Sequence, residues 1–437
     1  MSKEKGSMME KFQSFMEEHI LPVASKIGSQ RHMASIRDGM SLLIPLTIIG
    51  GVAMILAIPP IPAGIEGTNF FYNFLLAWKD FASNFYNTLM VPYNLTIGII
   101  SVYVVMGISY QLARSYELNA INNMVCALLV FLCIAGFPEN DLVFSTSQLG
   151  STSMFAGIII AIVVVEINRF FTSHNICIKL PSSVPPNVAA PFNVLIPTIA
   201  NIVLFLALNA ICFSAIGGGL TTLIYKVIQP LLSAAGSLPS ILLINILMTT
   251  FWFFGIHGAN MVSIVVTPIT TAALAVNAEA YATGQPLPEI FAGAINSVFG
   301  NWITYTAFLI IMIFVCKSSQ LKSIGKIASV PTLFNINEPM IFGIPTVLNI
   351  LTFMPLLLCS IINFTTAYIL MDIGFLGRFF TTLPFTVPGP LQAFLATMDW
   401  KTIPVWFILL AIDIVVCLPF LKMYDKQLLT KEAEEQA

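Results

Sequence analysis

Charge is scarce in this chain. Only 9% of its 437 residues are Asp, Glu, Lys or Arg, against roughly 25% in an ordinary soluble domain, which excludes a water-soluble enzyme built around one core. Cysteine is sparse as well: seven are scattered along the chain with no Cys-x-x-Cys pair, so neither a metal cage nor a disulfide framework is expected. Cys126 and Cys133 fall on one helix face, where small apolar packing accounts for them. No metal and no cofactor are expected. Basic stripes interleaved with aromatics are missing, which excludes nucleic acid as a partner. Met1 to Arg37 lacks the order of charge, apolar core and cleavage site that marks a secretory signal. Strand alternation of the outer-membrane kind is also missing.

What is present is hydrophobicity, at 57% of the residues. Apolar runs such as Ile44 to Ile58, Ile97 to Ser109, Met154 to Val165 and Leu242 to Phe254, with their flanks, approach the roughly 20 residues a helix needs to cross a bilayer. The expected fold is an all-α integral membrane protein of about ten transmembrane helices, with re-entrant hairpins and amphipathic connecting helices. The spans begin with Ala34 to Ile58 and a partly polar Phe71 to Val91, and end with Ile403 to Phe420.

The few basic residues set the orientation. Of 19 Lys and Arg, six (Lys3, Lys5, Lys11, Lys26, Arg31, Arg37) precede the first long run, and three (Lys422, Lys426, Lys431) follow the last. The positive-inside rule then places both termini in the cytoplasm. The connection from Phe137 to Ser153 carries Glu139 and Asp141 without any Lys or Arg, which suits the outer face. Residues 1–33 read as an amphipathic cytoplasmic segment and 34–216 as a first transmembrane half. An amphipathic connector follows over 217–238, then a second transmembrane half over 239–425 and a cytoplasmic tail over 426–437. Gly258 to Val276, Pro331 to Pro345 and Phe375 to Leu395 are apolar yet interrupted. All three lie in the second half, and such broken segments are the best sequence pointer to a transporter's binding site.

Glu338 is the only formal charge between Lys326 and Asp372. A carboxylate in mid-membrane costs about 2.5–3.5 kcal/mol, which makes it a functional candidate by default. Asn335 and Asn337 add amide donors and acceptors beside it. Trp252 precedes Gly255-Ile-His257-Gly258-Ala-Asn260, where glycines admit close approach and an imidazole supplies one donor and one acceptor. Carboxylate, amides, imidazole and an aromatic face together suit the hydroxyls and apolar face of a sugar. His257 capping a helix end and the asparagines closing a polar turn are the plainer alternatives. Gln392 and Asp399-Trp400 are weaker candidates, Trp400 reading more simply as an interfacial anchor.

At Phe254-Gly-Ile-His-Gly-Ala-Asn260 and Asn335-Ile-Asn-Glu-Pro-Met-Ile-Phe-Gly343 the chain resembles the IIC component of bacterial phosphotransferase-system (PTS) sugar transporters, lactose/cellobiose/diacetylchitobiose family. Phe394-Leu-Ala-Thr-Met-Asp-Trp400 and Leu418 to Asp425 are similar to the same family. The resemblance implies a homodimer of ten-helix protomers, with the first half at the dimer contact and the second enclosing a β-linked disaccharide. It also implies phosphorylation of the sugar's C6 hydroxyl by the phosphocysteine of a IIB protein, expected as a separate partner because the chain stops at Ala437. On this resemblance Glu338 is the base and His257 its helper. Trp252, Asn260, Asn335 and Asn337 then line the pocket, and Gly258 and Gln392 are further candidates for binding the substrate. Pro388-Gly-Pro-Leu departs from the cellobiose-type pattern and leaves the sugar open between cellobiose and diacetylchitobiose. A proton-coupled secondary sugar transporter, with Glu338 and His257 as the relay, is the alternative.

Overall fold

A computed structural model describes residues 30–59, 67, 70–137, 143–178, 192, 194–255, 257–344 and 349–435. The amphipathic segment expected at the N-terminus lies outside them almost entirely. Among the described residues every regular element is helical. Two compact units divide the chain: Lys26–Ala234 with Ile264–Leu287, and Ala235–Ser263 with Pro288–Ala437.

The first unit contains α1 (Arg31–Ser41), α2 (Ile44–Ala57), α3 (Phe70–Leu89), α4 (Ile100–Ser115), α5 (Ala120–Ala135), α6 (Met154–Ser173), α7 (Leu195–Ile216) and most of α8 (Leu220–Ala235). Local chemistry sets the ends. Gln30 accepts the Met33 amide at 2.7 Å to open α1, and Asn119 accepts the Asn122 amide at 3.0 Å to open α5. Side-chain acceptors there satisfy donors that the first helical turn leaves unpaired. Gly217, at φ +66°, ends α7.

Lipid supplies no hydrophobic drive between helices, so close approach and polar contacts carry the packing. A Cβ on Gly39 would stand 2.7 Å from the Ile108 nitrogen, and one on Gly107 would stand 2.7 Å from the Gly39 oxygen. The backbones of α1 and α4 therefore touch. Across α5, α6 and α7 runs an asparagine ladder: Asn168 donates to Asn123 at 2.8 Å, and Asn201 donates to Asn168 at 2.9 Å. At one end of the unit Glu166 accepts from Tyr116 and lies 2.9 Å from His32 and 3.3 Å from Arg169. Arg31 and Arg169 cover the Tyr116 ring at 4.4 and 4.1 Å.

The second unit contains α9 (Leu238–Phe253), the start of α10 (Gly258–Ala282), α11 (Asn301–Phe314), α12 (Ser319–Leu333), α13 (Glu338–Gly343), α14 (Ile350–Asp372), α15 (Gly389–Thr397) and α16 (Thr402–Glu435). Phe291, Phe299, Phe308, Phe364, Phe379 and Phe380 fill its interior. Asp413, fully buried in the first half of α16, accepts from Thr304 of α11 at 2.9 Å and from Asn363 of α14 at 3.0 Å. Farther along α16, Asp425 receives the backbone N–H groups of Lys317 (2.9 Å) and Ser318 (2.8 Å), where α12 begins. A carboxylate there faces the positive end of the helix.

Eight described helices are long and apolar enough to cross a membrane, and the pair α8–α9, counted as one span, brings the number to nine. The shorter α5 is a further apolar helix, so about ten crossings remains a fair description. Two spans differ from expectation. α3 forms as a helix, but its polar face keeps it below the hydropathy of the crossing helices. Gly258 to Val276, expected as interrupted, lies inside the continuous α10, which runs through Pro268. Neighbouring groups in a membrane bundle can take up the carbonyl that a proline frees, so the residue need not end the helix.

Candidate functional site

Both sequence motifs fall at helix breaks of the second unit. α9 ends at Phe253, and Gly255 at φ +76° turns the chain into α10. Across this turn the rings of Trp252 and His257 lie 4.5 Å apart at 46°. His257 is exposed, whereas Gly258 is buried. A Cβ on Gly258 would sit 2.9 Å from the Met248 carbonyl carbon, closer still to its oxygen, and 3.1 Å from Trp252 Cδ1. Only glycine fits between α9 and α10 here, and that fit holds the imidazole against the indole.

The second motif breaks as its prolines foretell. α12 carries Pro331 in its last turn, and Ile336 N–H closes onto the Pro331 carbonyl at 2.9 Å. Asn335 takes the left-handed conformation, φ +58°, which asparagine tolerates because its short amide bonds locally. The Asn335 amide donates to the Phe385 carbonyl at 3.2 Å, and the Asn337 amide donates to Asn335 Oδ1 at 2.9 Å. The turn is thereby tied to the irregular segment that precedes α15. α13 then begins at Glu338, with Pro339 in its first turn. The side chains of Glu338 and Asn260 lie outside the described residues.

Gln392 is fully buried on α15, and neither its Nε2 nor its Oε1 has a partner among the described residues. The Asn337 Oδ1 is likewise buried and without a partner among the described residues. Each unpaired buried polar group costs about 1–3 kcal/mol, and a polyhydroxyl ligand with donors and acceptors in excess offers the missing bonds.

Thus the structure pairs Trp252 with His257 and Asn335 with Asn337. A ring contact of 4.6 Å between Phe253, at the end of α9, and Phe353, at the start of α14, links the first motif to the helix that follows the second. Trp400 is exposed, as an interfacial anchor would be. Asp399 receives the Gly377 N–H at 2.8 Å and pairs with Lys401 at 3.4 Å, so its role is to hold the irregular segment.

Sequence reasoning missed two supporting tryptophans. Trp302 donates to the Thr332 carbonyl at 2.8 Å, at the end of α12, and Trp406 donates to the Val298 carbonyl at 3.2 Å. The Trp406 ring also fills the space beside Gly389, where α15 begins. Both anchor a broken helix end. The only available signal was the placement of an indole in an otherwise apolar span.

A family model described as "Phosphotransferase system, EIIC" matches residues 37–360. The lichenan permease IIC component of Bacillus subtilis is 33% identical, with 97% of this chain and 96% of that protein aligned. The oligo-beta-mannoside-specific EIIC component of the same organism is 31% identical, with 98% and 96% aligned. The lactose-specific EIICB component of Streptococcus mutans is 30% identical over 94% of this chain and 72% of that protein. Among solved structures, the transporter ChbC, the IIC component from the N,N'-diacetylchitobiose-specific phosphotransferase system, superimposes with a TM-score of 0.87 at 29% identity. That match covers 96% of this chain and 99% of that one.

Proposed function

This chain belongs to the phosphotransferase-system EIIC family, and we propose that it imports a β-linked disaccharide of the cellobiose or N,N'-diacetylchitobiose type. Import is coupled to phosphorylation of the sugar's C6 hydroxyl by the phosphocysteine of a IIB protein. The observation that carries this reading is the Trp252–His257 pair, its rings tilted at 4.5 Å on a turn that only glycine allows, in a unit that also buries a glutamine with no described partner. Relatives named for lichenan, oligo-beta-mannosides and diacetylchitobiose support the substrate class.

In the proposed mechanism Trp252 stacks on the apolar face of one sugar ring, while the asparagines, Asn260 and Gln392 bind its hydroxyls. The phosphoryl group passes from the cysteine sulfur of IIB to the C6 oxygen. The S–P bond breaks and the O–P bond forms, and Glu338 takes the hydroxyl proton while His257 holds that hydroxyl in line. Transfer of this kind rests on positioning more than on covalent help from the protein. The product leaves as a sugar phosphate whose added charge opposes return, so no ion gradient is needed. We place both termini in the cytoplasm, by the positive-inside rule, and the first transmembrane half at a homodimer contact.

The test is reconstitution in vesicles with phosphorylated IIB and a panel of disaccharides. Glu338→Gln should abolish most sugar phosphorylation, and turnover like that of the unaltered protein would contradict the assignment. Uptake driven by a pH gradient without a phosphoryl donor would favour the secondary transporter instead.

A further inference from the structure

A second recess lies in the first unit and involves none of the residues assigned above. Its volume is about 310 Å³, and its walls include Tyr93, Asn94, Thr146, Ser151, Glu279 and Thr283. Ser151 donates to Glu279 Oε2 at 3.1 Å, which holds the carboxylate in the wall. Glu279 has no ion pair among the described residues, and Tyr93 is 6% exposed. The volume falls at the small end of ligand pockets, about 300 Å³. It suits a single sugar ring and not a chain.

The lining also narrows the chemistry. Among the described residues it contains no Lys, Arg or His, so an anion would meet the Glu279 carboxylate with no described cation to offset it. One carboxylate among neutral groups falls short of a metal cage, and no cluster of three His, Cys, Asp or Glu occurs among the described residues. Hydroxyls, an amide, a carboxylate and tyrosine rings match a neutral polyol, which brings both donors and acceptors and an apolar ring face.

Position completes the argument. Ile97 and Gly98 of the lining lead into α4, and Gly150 and Ser151 lead into α6. Arg114 and Arg169 stand at the opposite ends of those two helices. If arginines mark the cytoplasmic side, the recess opens to the outside. We propose that it is an outward-facing subsite that binds one pyranose ring of the incoming saccharide, with Glu279, Asn94 and Tyr93 as its recognition groups. This rests on the saccharide reading given above.

The test uses the full chain in intact cells, with Cys133 and Cys177, the two cysteines that are not buried, replaced by serine. Ser147, on the exposed rim of the recess, is changed to cysteine and titrated with a membrane-impermeant maleimide. Cellobiose and methyl β-glucoside at millimolar concentration should slow labelling at least threefold, and glucose 6-phosphate should not. Protection should persist with His257→Ala, which disables the other site, and disappear with Glu279→Gln or Asn94→Ala. Absence of labelling from outside, equal protection by the sugar phosphate, or loss of protection in His257→Ala would each overturn the proposal. Protection that persists while vesicles phosphorylate no β-glucoside would leave the subsite standing and remove the transport reading instead.

Discussion

Gly258→Ala adds one methyl group at the point where α9 and α10 touch. The new Cβ would lie 2.9 Å from the Met248 carbonyl carbon, whereas carbon atoms rest at about 3.5–4.0 Å. The obstacle is backbone within a helix and cannot rotate away, so the turn bearing His257 must retreat by roughly 1 Å. A displacement of that size at a reacting group costs about 100-fold in rate, equivalent to about 2.7 kcal/mol of transition-state stabilisation. The assay is the initial rate of disaccharide phosphorylation by phosphorylated IIB in vesicles, run beside a thermal unfolding curve. The expected outcome is a rate near one hundredth, with the protein still folded and inserted. An unchanged rate would refute the claim that this contact positions the imidazole. Loss of folding alone would refute it too, by making the glycine structural only.

Three further outcomes follow from the same geometry. Gln392→Leu removes two buried polar groups with no described partner, each costing about 1–3 kcal/mol; the sugar-free protein should melt higher while disaccharide binding weakens about tenfold or more, and the opposite pair of shifts would exclude Gln392 from the site. Asp425→Ala deletes the acceptor of the Lys317 and Ser318 N–H groups and should cost about 2 kcal/mol, read as a lower midpoint in thermal unfolding; an unchanged midpoint would show that water replaces the carboxylate. Burial and then the neighbouring Asp425 push the Cys316 thiol up to about 12, with Lys322 opposing. At pH 8 its thiolate fraction is then roughly a thousandth of that of a free cysteine or less, so iodoacetamide should leave Cys316 intact in the folded protein. Alkylation within minutes, detected by mass spectrometry, would contradict that environment.

The candidate site was marked in the sequence by residues that are costly in lipid, and both of its motifs fall at helix breaks. A lone carboxylate at 338, an imidazole between glycines at 257 and prolines at 331 and 339 are residues that an ordinary crossing helix excludes. The span Gly258 to Val276 reads as interrupted in the sequence, yet α10 continues through it, Pro268 included. A sequence window records a missing donor, but not whether neighbours have taken up the freed carbonyl.

Composition alone dictated helices in a bilayer, because so few charges leave the backbone no solvent but itself. Spacing alone dictated where two of those helices break. The pairings came from the folded arrangement: Trp252 against His257, Asn335 on the Phe385 carbonyl, Gln392 sealed with no described partner, and Asp413 bridging α11 and α14 across 109 and 50 residues of chain. Such contacts join residues far apart in the chain, and an amide or indole reads the same in sequence whether its hydrogen bonds are met or empty.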